Sequence, residues 1–225
     1  MVALKSGEAG RLRIGCGPSG ASFLPEVVIA FQRQRPNVHV TLISDSMDAN
    51  LAGLLKGDLD LFCTAVEFPR QATLHCERLI EIKNIVIASH GHPLAGRAAV
   101  DPKDFLDYQW VAFANDDMAR SRMSAYMAAS DLDPPRIVFE TNNLVTMFSV
   151  LAGSNYLACV PPLVLDDARA HGLTALRVRG SFWSVGLGIA HVRSAHLPSA
   201  LAAFIAILRM HVLALQADAR LRFAS

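Results

Sequence analysis

The chain has 225 residues, which allows one large domain or two small lobes but not several independent domains. Its 21 Lys and Arg residues are balanced by 20 Asp and Glu residues, whereas a chain that mainly grips nucleic acid carries a strong basic excess. Hydrophobic residues make up 52% and charged residues 18%, a composition that excludes disorder and supports a proper core. The longest apolar run, residues 200–208, is too short for a membrane span.

The N-terminus and the cysteines indicate the compartment. The first ten residues lack the apolar stretch and small-residue cleavage site of a secretory signal. The four cysteines, Cys16, Cys63, Cys76 and Cys159, are scattered and form no C-x-x-C pair. We therefore expect reduced, mostly buried thiols and a cytoplasmic location.

Strand and helix signals alternate through the first part of the chain. Strands are predicted at residues 12–14, 38–43 and 59–64, with helices from Ser22 to Arg35 and around residues 51–55. Ser22 is the expected N-cap of the first helix, which would place Pro25 in the first turn, where proline is tolerated. Three strands separated by two helices form two βαβ units, and hence a mostly parallel, doubly wound sheet.

The remaining chain repeats this alternation. Further strands are predicted at residues 85–88, 108–113, 137–139, 156–160 and 185–191, with helices opening at Asp101-Pro102, around residues 120–129, at 143–152 after an Asn142 cap, and from 198 to about 213. The sequence has no internal repeat, low-complexity stretch or long linker. This pattern predicts two small α/β lobes that exchange strands.

The sharpest local motif is the G-x-G-x-x-G at residues 15–20, which lies between a predicted strand and a predicted helix. With Asp45 at the end of the next strand, the motif is compatible with a dinucleotide site. Pro18 and Pro25, however, remove backbone donors from the segment that would bind phosphate. A broader interpretation remains open, because a turn at a helix N-terminus, with the Ser19 and Ser22 hydroxyls, suits any small anion or polar ligand.

Several short sequence segments resemble the effector-binding domain of LysR-type transcriptional regulators. They occur in the family's order from about Ala9 to Leu213: Gly10-Arg11-Leu12-Arg13-Ile14-Gly15, Leu24-Pro25, Phe31, Pro36-Asn37-Val38, Leu54, Gly57-Asp58-Leu59-Asp60-Leu61, His92-Pro93-Leu94-Ala95, Val150-Leu151-Ala152-Gly153 running to Val160-Pro161, and Pro198 to Phe204. Each segment alone is weak evidence for the family, but the ordered set is fairly specific. Asn155 stands where the family usually has a second glycine, and asparagine tolerates the same left-handed turn.

The resemblance implies a periplasmic-binding-protein-like fold of two doubly wound lobes with crossing hinge strands. We expect residues 11–84 with 192–225 to form lobe I and residues 85–191 to form lobe II. The resemblance also implies an effector in the cleft between the lobes and a homodimer, in which helices of one protomer's first lobe pack against the other's second. A tetramer of full-length chains is left open by the resemblance. The family's N-terminal winged helix-turn-helix is expected to be absent from this chain, so DNA would be bound only through that missing part.

Open α/β sheets bind ligands at the carboxyl ends of their strands, and the family analogy points to the same loops. The expected effector-binding residues are Ser19, Gly20, Ser46, Thr64, Asn115, Asn142, Asn143 and Pro161. Ser22 and Asn142 have an alternative role as simple helix caps. No cationic side chain is aimed at these loops in the sequence pattern. Helix N-termini with hydroxyls and amides can nonetheless hold a carboxylate without arginine, so the effector is expected to be small and polar or anionic.

Catalysis, metal binding and redox sensing have weaker signals. The chain lacks local signatures such as G-x-S-x-G or H-E-x-x-H, so we expect no enzyme activity, cofactor or membrane association. His90 and His92 could be imagined as metal ligands, but a plain loop is the simpler interpretation. Cys16 precedes a helix N-terminus that favours a thiolate, yet no resolving cysteine is identifiable, and a small buried residue is expected. The alternatives to a sensor are a nucleotide-dependent oxidoreductase or transferase and a solute-binding protein.

Overall fold

A computed structural model of the chain describes residues 10–65, 71–114, 116–180 and 183–222. The strands are β1 (Gly10–Cys16), β2 (Val38–Ser44), β3 (Leu61–Ala65), β4 (Leu74–Lys83), β5 (Ile85–Ser89), β6 (Trp110–Ala112), β7 (Ile137–Glu140), β8 (Leu157–Val160), β9 (Leu173–Ala175) and β10 (Ser184–Val192). The α-helices are α1 (Gly20–Gln34), α2 (Met47–Lys56), α3 (Asp117–Ala128), α4 (Leu144–Ala152), α5 (Leu165–Ala170) and α6 (Ser199–Arg222), and short 3-10 helices lie at Pro102–Phe105 and Pro162–Val164.

The chain divides into two compact units. Unit 1 comprises the residues up to Glu81 together with those from Gly186 onward, and unit 2 comprises Ile82–Val185. Both passages between the units fall inside strands, the first in β4 and the second in β10. The observed boundaries precede the expected ones, 84/85 and 191/192, by three and six residues respectively. The second difference arises because β10 pairs with β3, inside the sheet of unit 1.

Unit 1 is built on a five-stranded sheet in the order β2-β1-β3-β10-β4. β1 is parallel to both β2 and β3, while β10 runs antiparallel to β3. Helices α1 and α6 pack against each other, with the rings of Phe31 and Phe204 edge to face at 5.4 Å. These apolar side chains are fully buried, and α1 presents them at helical spacing, as the sequence predicts.

Unit 2 has a second five-stranded sheet in the order β7-β6-β8-β5-β9. β6 is parallel to β7 and β8, while β5 is antiparallel to β8 and β9. Successive strand residues feed opposite faces: Val86 and Trp110 join one apolar cluster, whereas Ile87 and Val111 join the other. Both faces of this sheet are therefore covered, which confirms the predicted doubly wound α/β architecture.

Several elements differ from the sequence prediction. α1 begins at Gly20 with Ser19 as its N-cap residue, so the predicted cap at Ser22 is wrong and Pro25 lies in the second helical turn. β4 was not predicted, because charged residues separate its apolar positions, and short β9 and α5 were missed as well. Within the described ranges, no helix is both long enough and apolar enough to cross a membrane.

Candidate functional site

The turn after β1 lies at the carboxyl edge of the unit 1 sheet. Cys16 at the end of β1 is paired in register with Cys63 of parallel β3, so the next residues, Gly17 and Thr64, are neighbours. A Cβ atom added at Gly17 would lie 2.9 Å from the Thr64 hydroxyl oxygen. Ser19 follows in the same turn, is half-buried, and makes no side-chain capping bond to α1. The structure thus brings two predicted residues, Ser19 and Thr64, to one edge.

A residue that the sequence analysis missed holds this turn in place. Asn50 on α2 is buried, and its Nδ2 atom lies 3.1, 3.0 and 2.9 Å from the carbonyl oxygens of Cys16, Asp45 and Ser46, to which it donates. These carbonyls belong to the segments where β1 and β2 end. Asn50 lies four residues before buried Leu54, so its position on the buried face of α2 was the signal in the sequence.

The neighbouring predicted residue, Ser46, has a structural role. It is the N-cap of α2, and its hydroxyl accepts a hydrogen bond from the Ala49 amide at 3.3 Å. The Asp45 carboxylate in turn accepts from the Ser46 amide at 2.7 Å. Ser46 and Asp45 therefore satisfy backbone donors at the start of α2, as caps usually do.

The glycines of residues 15–20 are explained by close packing. Gly15 faces the Asn50 amide and Leu59, Gly17 faces Thr64, and a Cβ added at Gly20 would lie 2.6 Å from the Cys16 Cβ atom. Glycine is required where side chains approach the backbone this closely. The motif therefore has a packing origin that needs no bound dinucleotide.

Cys16 is buried in this packing and is not a poised thiolate. Burial raises the pKa of its thiol to about 11, against a lowering by a hydrogen bond with Ser44. Burial also raises the pKa of Cys63, its partner across β1 and β3. The cost of burying a charged thiolate thus outweighs its stabilisation by the helix N-terminus. The expectation of a small buried residue at Cys16 agrees with the geometry. Cys63 is nevertheless the adjacent cysteine that the sequence did not reveal.

The carboxyl ends of β6, β7 and β8 meet at one edge of the unit 2 sheet, since these strands are parallel neighbours. Asn143, after β7, is the N-cap of α4 and accepts from the Thr146 amide at 2.9 Å, so the predicted cap at Asn142 is wrong by one residue. Asn142 itself is exposed in the bend before the cap. Pro161, after β8, is buried, and its carbonyl accepts from Val164 at 3.3 Å. Asn115 lies outside the described residues.

Charged residues also lie at this edge. Asp116 caps α3, accepting from the Ala119 amide at 3.0 Å, and burial raises the pKa of its carboxyl group. Arg120, one turn further along α3, pairs with Glu140 at the end of β7 and lies 3.5 Å from Asp117. Arg120 is therefore a cation near the strand ends of unit 2 that the sequence pattern did not indicate. Arg120 is, however, already paired, and the spacing of three residues between Asp117 and Arg120 on one helix was the sequence signal for one of its two pairs.

Both ring nitrogens of His92 make hydrogen bonds to the backbone, which gives this side chain a structural role. Its Nδ1 atom accepts from the Leu94 amide at 3.1 Å, so the ring proton lies on Nε2, which donates to the Asn155 carbonyl at 3.2 Å. The ring packs against Tyr108 with centroids 4.4 Å apart. No group of metal-ligating side chains occurs among the residues that the structure places.

Acidification is expected to destabilise unit 2 through His92. Burial lowers its pKa below the ordinary value of 6.5, which the unfolded chain retains. The unfolded chain therefore takes up the proton first, so stability is full above pH 6.5 and is lost as the pH falls from there towards the folded-state pKa. The check is the urea midpoint, followed by tryptophan fluorescence, between pH 7.5 and 5.

The matched variants are His92→Gln and His39→Gln, the latter on the exposed surface of β2. The pH slope should shrink in His92→Gln and persist in His39→Gln. An unchanged slope in His92→Gln would assign the acid sensitivity to other groups.

Two such α/β units, connected by two strands, define a periplasmic-binding-protein-like domain. The fold is similar to that of the regulatory domain of CcmR from Synechocystis PCC6803 in complex with 2-PG, with a TM-score of 0.76, 18% identity, and coverage of 89% of this chain and 96% of that one. It is also similar to the effector-binding domain of QuiR in complex with shikimate, with a TM-score of 0.73, 16% identity, and coverage of 88% and 95%.

The sequence establishes the family. Residues 5–213 match the family model of the LysR substrate binding domain, and the chain belongs to that family. It is 24% identical over 197 residues to the transcriptional activator protein LysR of Escherichia coli strain K12. That match covers 87% of this chain and 62% of the relative, so the chain spans less than two thirds of the length of that regulator. The resemblance found in the sequence is thereby confirmed.

Proposed function

We propose that this domain senses a small polar or anionic effector, which it binds with residues from the carboxyl edges of both sheets. The observation that carries the proposal is that the turn holding Ser19 lies against Thr64 at Gly17. This turn and Thr64 bring two half-buried hydroxyls to one edge of the sheet, and the Ser19 hydroxyl makes no capping bond to α1. Asn143 and Pro161 lie at the carboxyl edge of the unit 2 sheet. The CcmR and QuiR domains, which share the fold, hold 2-PG and shikimate.

The charges at these edges favour a ligand recognised by hydrogen bonds. Asp116 and Glu140 both lie on the unit 2 edge, and Glu140 already occupies Arg120. A ligand that carries hydroxyl groups can donate to these oxygens and to Thr64, whereas a bare multivalent anion would meet two carboxylates. The Gly20, Ala21 and Ser22 amides at the start of α1 already donate to backbone carbonyls of the preceding turn. Amide groups at the start of α4 are the better place for one negative group on such a ligand.

The proposed output is transmitted through a homodimer to DNA-binding heads that lie outside this chain, in a cytoplasmic regulator. Exposed apolar residues support a contact surface on unit 1: Ile29 on α1, and Met210, 63% exposed, with Leu213 on α6. Val145 is an exposed apolar residue on α4 of unit 2. Such side chains lose unfavourable hydration when a partner covers them. Sedimentation velocity tests this proposal directly, and a monomer at micromolar concentration would contradict it.

A thermal-shift screen tests the sensor proposal. Small carboxylates, sugars, aromatic acids and NAD(P) are compared on the purified chain, and a ligand at 100 times its dissociation constant should stabilise the fold by about 2.7 kcal/mol. We expect a shift with a small polar molecule and none with the dinucleotides. A shift with NAD(P) alone would instead support the oxidoreductase alternative.

Thr64→Val is expected to weaken binding of the hit about tenfold, because the substitution removes the hydroxyl while keeping the shape. Isothermal titration calorimetry measures the change. The matched control is Thr41→Val, a half-buried threonine in the middle of β2, which should bind as the unsubstituted chain does. Equal affinities for Thr64→Val and Thr41→Val would remove Thr64 from the site.

A further inference from the structure

Two of the four cysteines lie side by side on neighbouring strands of unit 1. Cys16 ends β1 and is paired in register with Cys63 of parallel β3. Side chains of paired residues point to the same face of a sheet, and neighbouring strands lie about 4.8 Å apart. Disulfide partners usually have Cα atoms about 4.4 to 6.8 Å apart, so the strand pairing alone brings these two cysteines within bonding range.

The other two cysteines are placed apart from this pair. Cys76 is exposed on β4, which β10 separates from β3, and Cys159 lies on β8 in unit 2. All four cysteines are free thiols in the structure. Cys16 and Cys63 therefore form the pair that the fold assembles, and Cys76 and Cys159 are natural controls for it.

The pair is enclosed, which makes its chemistry slow. The Cys16 sulfur lies beneath the first turn of α1, since a Cβ added at Gly20 would be 3.1 Å from it. Cys16 and Cys63 are both fully buried. Burial raises the pKa of the Cys63 thiol, and a negative charge on Cys16 raises it further, so the two thiols lie close enough to interact. Cys16, with a pKa of about 11, is the thiol that ionises first.

Each of the two cysteines immediately precedes a residue of the proposed effector edge. Gly17 follows Cys16 and Thr64 follows Cys63, and a Cβ added at Gly17 would lie 2.9 Å from the Thr64 hydroxyl oxygen. A disulfide requires Cβ atoms about 3.5 to 4.5 Å apart, which is closer than the usual spacing of neighbouring strands, about 4.8 Å. Closing the bond therefore draws the ends of β1 and β3 together and presses the turn against Thr64.

We propose that Cys16 and Cys63 form a reversible disulfide on sustained exposure to a hydroperoxide, and that this bond reshapes the turn after β1. The Cys16 thiolate attacks a peroxide oxygen, the O–O bond breaks, and Cys16 becomes a sulfenic acid. The other peroxide oxygen takes the thiol proton and leaves as an alcohol, or as water from hydrogen peroxide. The Cys63 thiol then attacks the sulfenic sulfur, so that the S–S bond forms and water leaves.

The pair thereby loses two electrons, which reduce the peroxide. A dithiol reductant restores both thiols by two thiol–disulfide exchange steps, and the strain of the strand spacing makes the bond easier to reduce. Formation of the disulfide does not depend on the proposed function. Only its expected effect on effector binding rests on that function.

Hydrogen peroxide acting on purified Cys76→Ala chain tests the bond, because this variant lacks the exposed thiol. The number of free thiols, counted after denaturation with a chromogenic thiol reagent, should fall from three to one and return to three with dithiothreitol. Peptide mapping without reduction should find the Cys16 peptide linked to the Cys63 peptide. A Cys16 that reaches the sulfinic acid without this link would overturn the proposal. So would a count that stays at three under peroxide that oxidises Cys76 of the unsubstituted chain.

Two further variants in the same background are matched. Cys63→Ala should abolish the loss of paired thiols, whereas Cys159→Ala should keep the link between Cys16 and Cys63. The peptide map of the Cys76→Ala chain decides the proposal even where the buried Cys63→Ala substitution prevents folding.

The effect on the turn is measured by ¹H–¹⁵N NMR of the reduced and the oxidised chain. The amide signals of Ser19 and Thr64 should shift on oxidation, those of unit 2 should stay in place, and dithiothreitol should restore the first set. A linked chain with unchanged signals at Ser19 and Thr64 would refute the coupling to the turn. Neither measurement uses an effector, so a failure here is distinguishable from a failure of the sensor proposal.

Discussion

Asn50→Ala is expected to lower the free energy of unfolding by about 2 to 4 kcal/mol, from the loss of buried hydrogen bonds and of packing volume. Asn50 is 1% exposed, and its amide group reaches three carbonyl oxygens. Two of these have a second donor, since the Asp45 amide donates to Cys16 and the Asn50 amide to Ser46. The Asp45 carbonyl relies on the Asn50 side chain more heavily. The expected loss of stability is therefore large, but smaller than if all three carbonyl oxygens were left without a donor.

Urea denaturation followed by far-UV circular dichroism measures this loss. Both tryptophans, Trp110 and Trp183, belong to unit 2, so their fluorescence reports that unit while circular dichroism reports both units. The matched control is Asn37→Ala, at an exposed turn before β2, which should change the stability by less than about 0.5 kcal/mol. Equal urea midpoints for Asn50→Ala and Asn37→Ala would show that the hydrogen bonds of the Asn50 side chain do not stabilise the turn.

Asn50→Asp separates hydrogen-bond donation from packing. The shape is nearly unchanged, but at neutral pH a carboxylate would face three carbonyl oxygens with no proton to donate. We expect a loss of stability at least as large as in Asn50→Ala at pH 7. The difference from the unsubstituted chain should shrink at acidic pH, where the new carboxyl group is protonated. A variant as stable as the unsubstituted chain at pH 7 would contradict the donor role.

The architecture could be predicted from the sequence because its signals are local. Apolar periodicity and β-branched runs indicated the strands and helices of both units, including α1 and β2. Capping residues were displaced by one to three positions, since neighbouring Ser19 and Ser22, or Asn142 and Asn143, are equally suited by type to cap a helix. β4 was missed because its apolar positions alternate with charged ones that face water.

Contacts between distant segments could not be predicted in this way. Asn50 bonds to a carbonyl 34 residues away, and Arg209 pairs with Glu77 across 132 residues. Periodicity carries no information on such pairs, because they depend on the order and register of the strands. The Arg209–Glu77 pair shows this, since α6 and β4 come together only in the folded unit. The shared edge of Ser19 and Thr64 was predictable, because both residues follow strands of a parallel sheet, and parallel strands end at the same edge. This inference requires only the order of strands and helices along the chain.

Gly20→Ala is expected to destabilise the chain by about 2 kcal/mol, although alanine is the better helix former by about 1 kcal/mol. The added Cβ would lie 2.6 Å from the Cys16 Cβ atom, 3.1 Å from its sulfur and 3.3 Å from Leu24. The first of these neighbours is fixed to the backbone of β1 and cannot rotate away, so the strand and the helix must move apart.

Denaturant midpoints compare this variant with Gly10→Ala, where an added Cβ would meet no atom within 4 Å. Gly10→Ala should be close to neutral, and effector binding should weaken in Gly20→Ala, because the displaced turn carries Ser19. If the glycine served mainly a nucleotide phosphate, Gly20→Ala would instead fold with unchanged stability and lose only dinucleotide binding. A destabilised variant therefore supports close packing of helix against strand as the reason for glycine at this position.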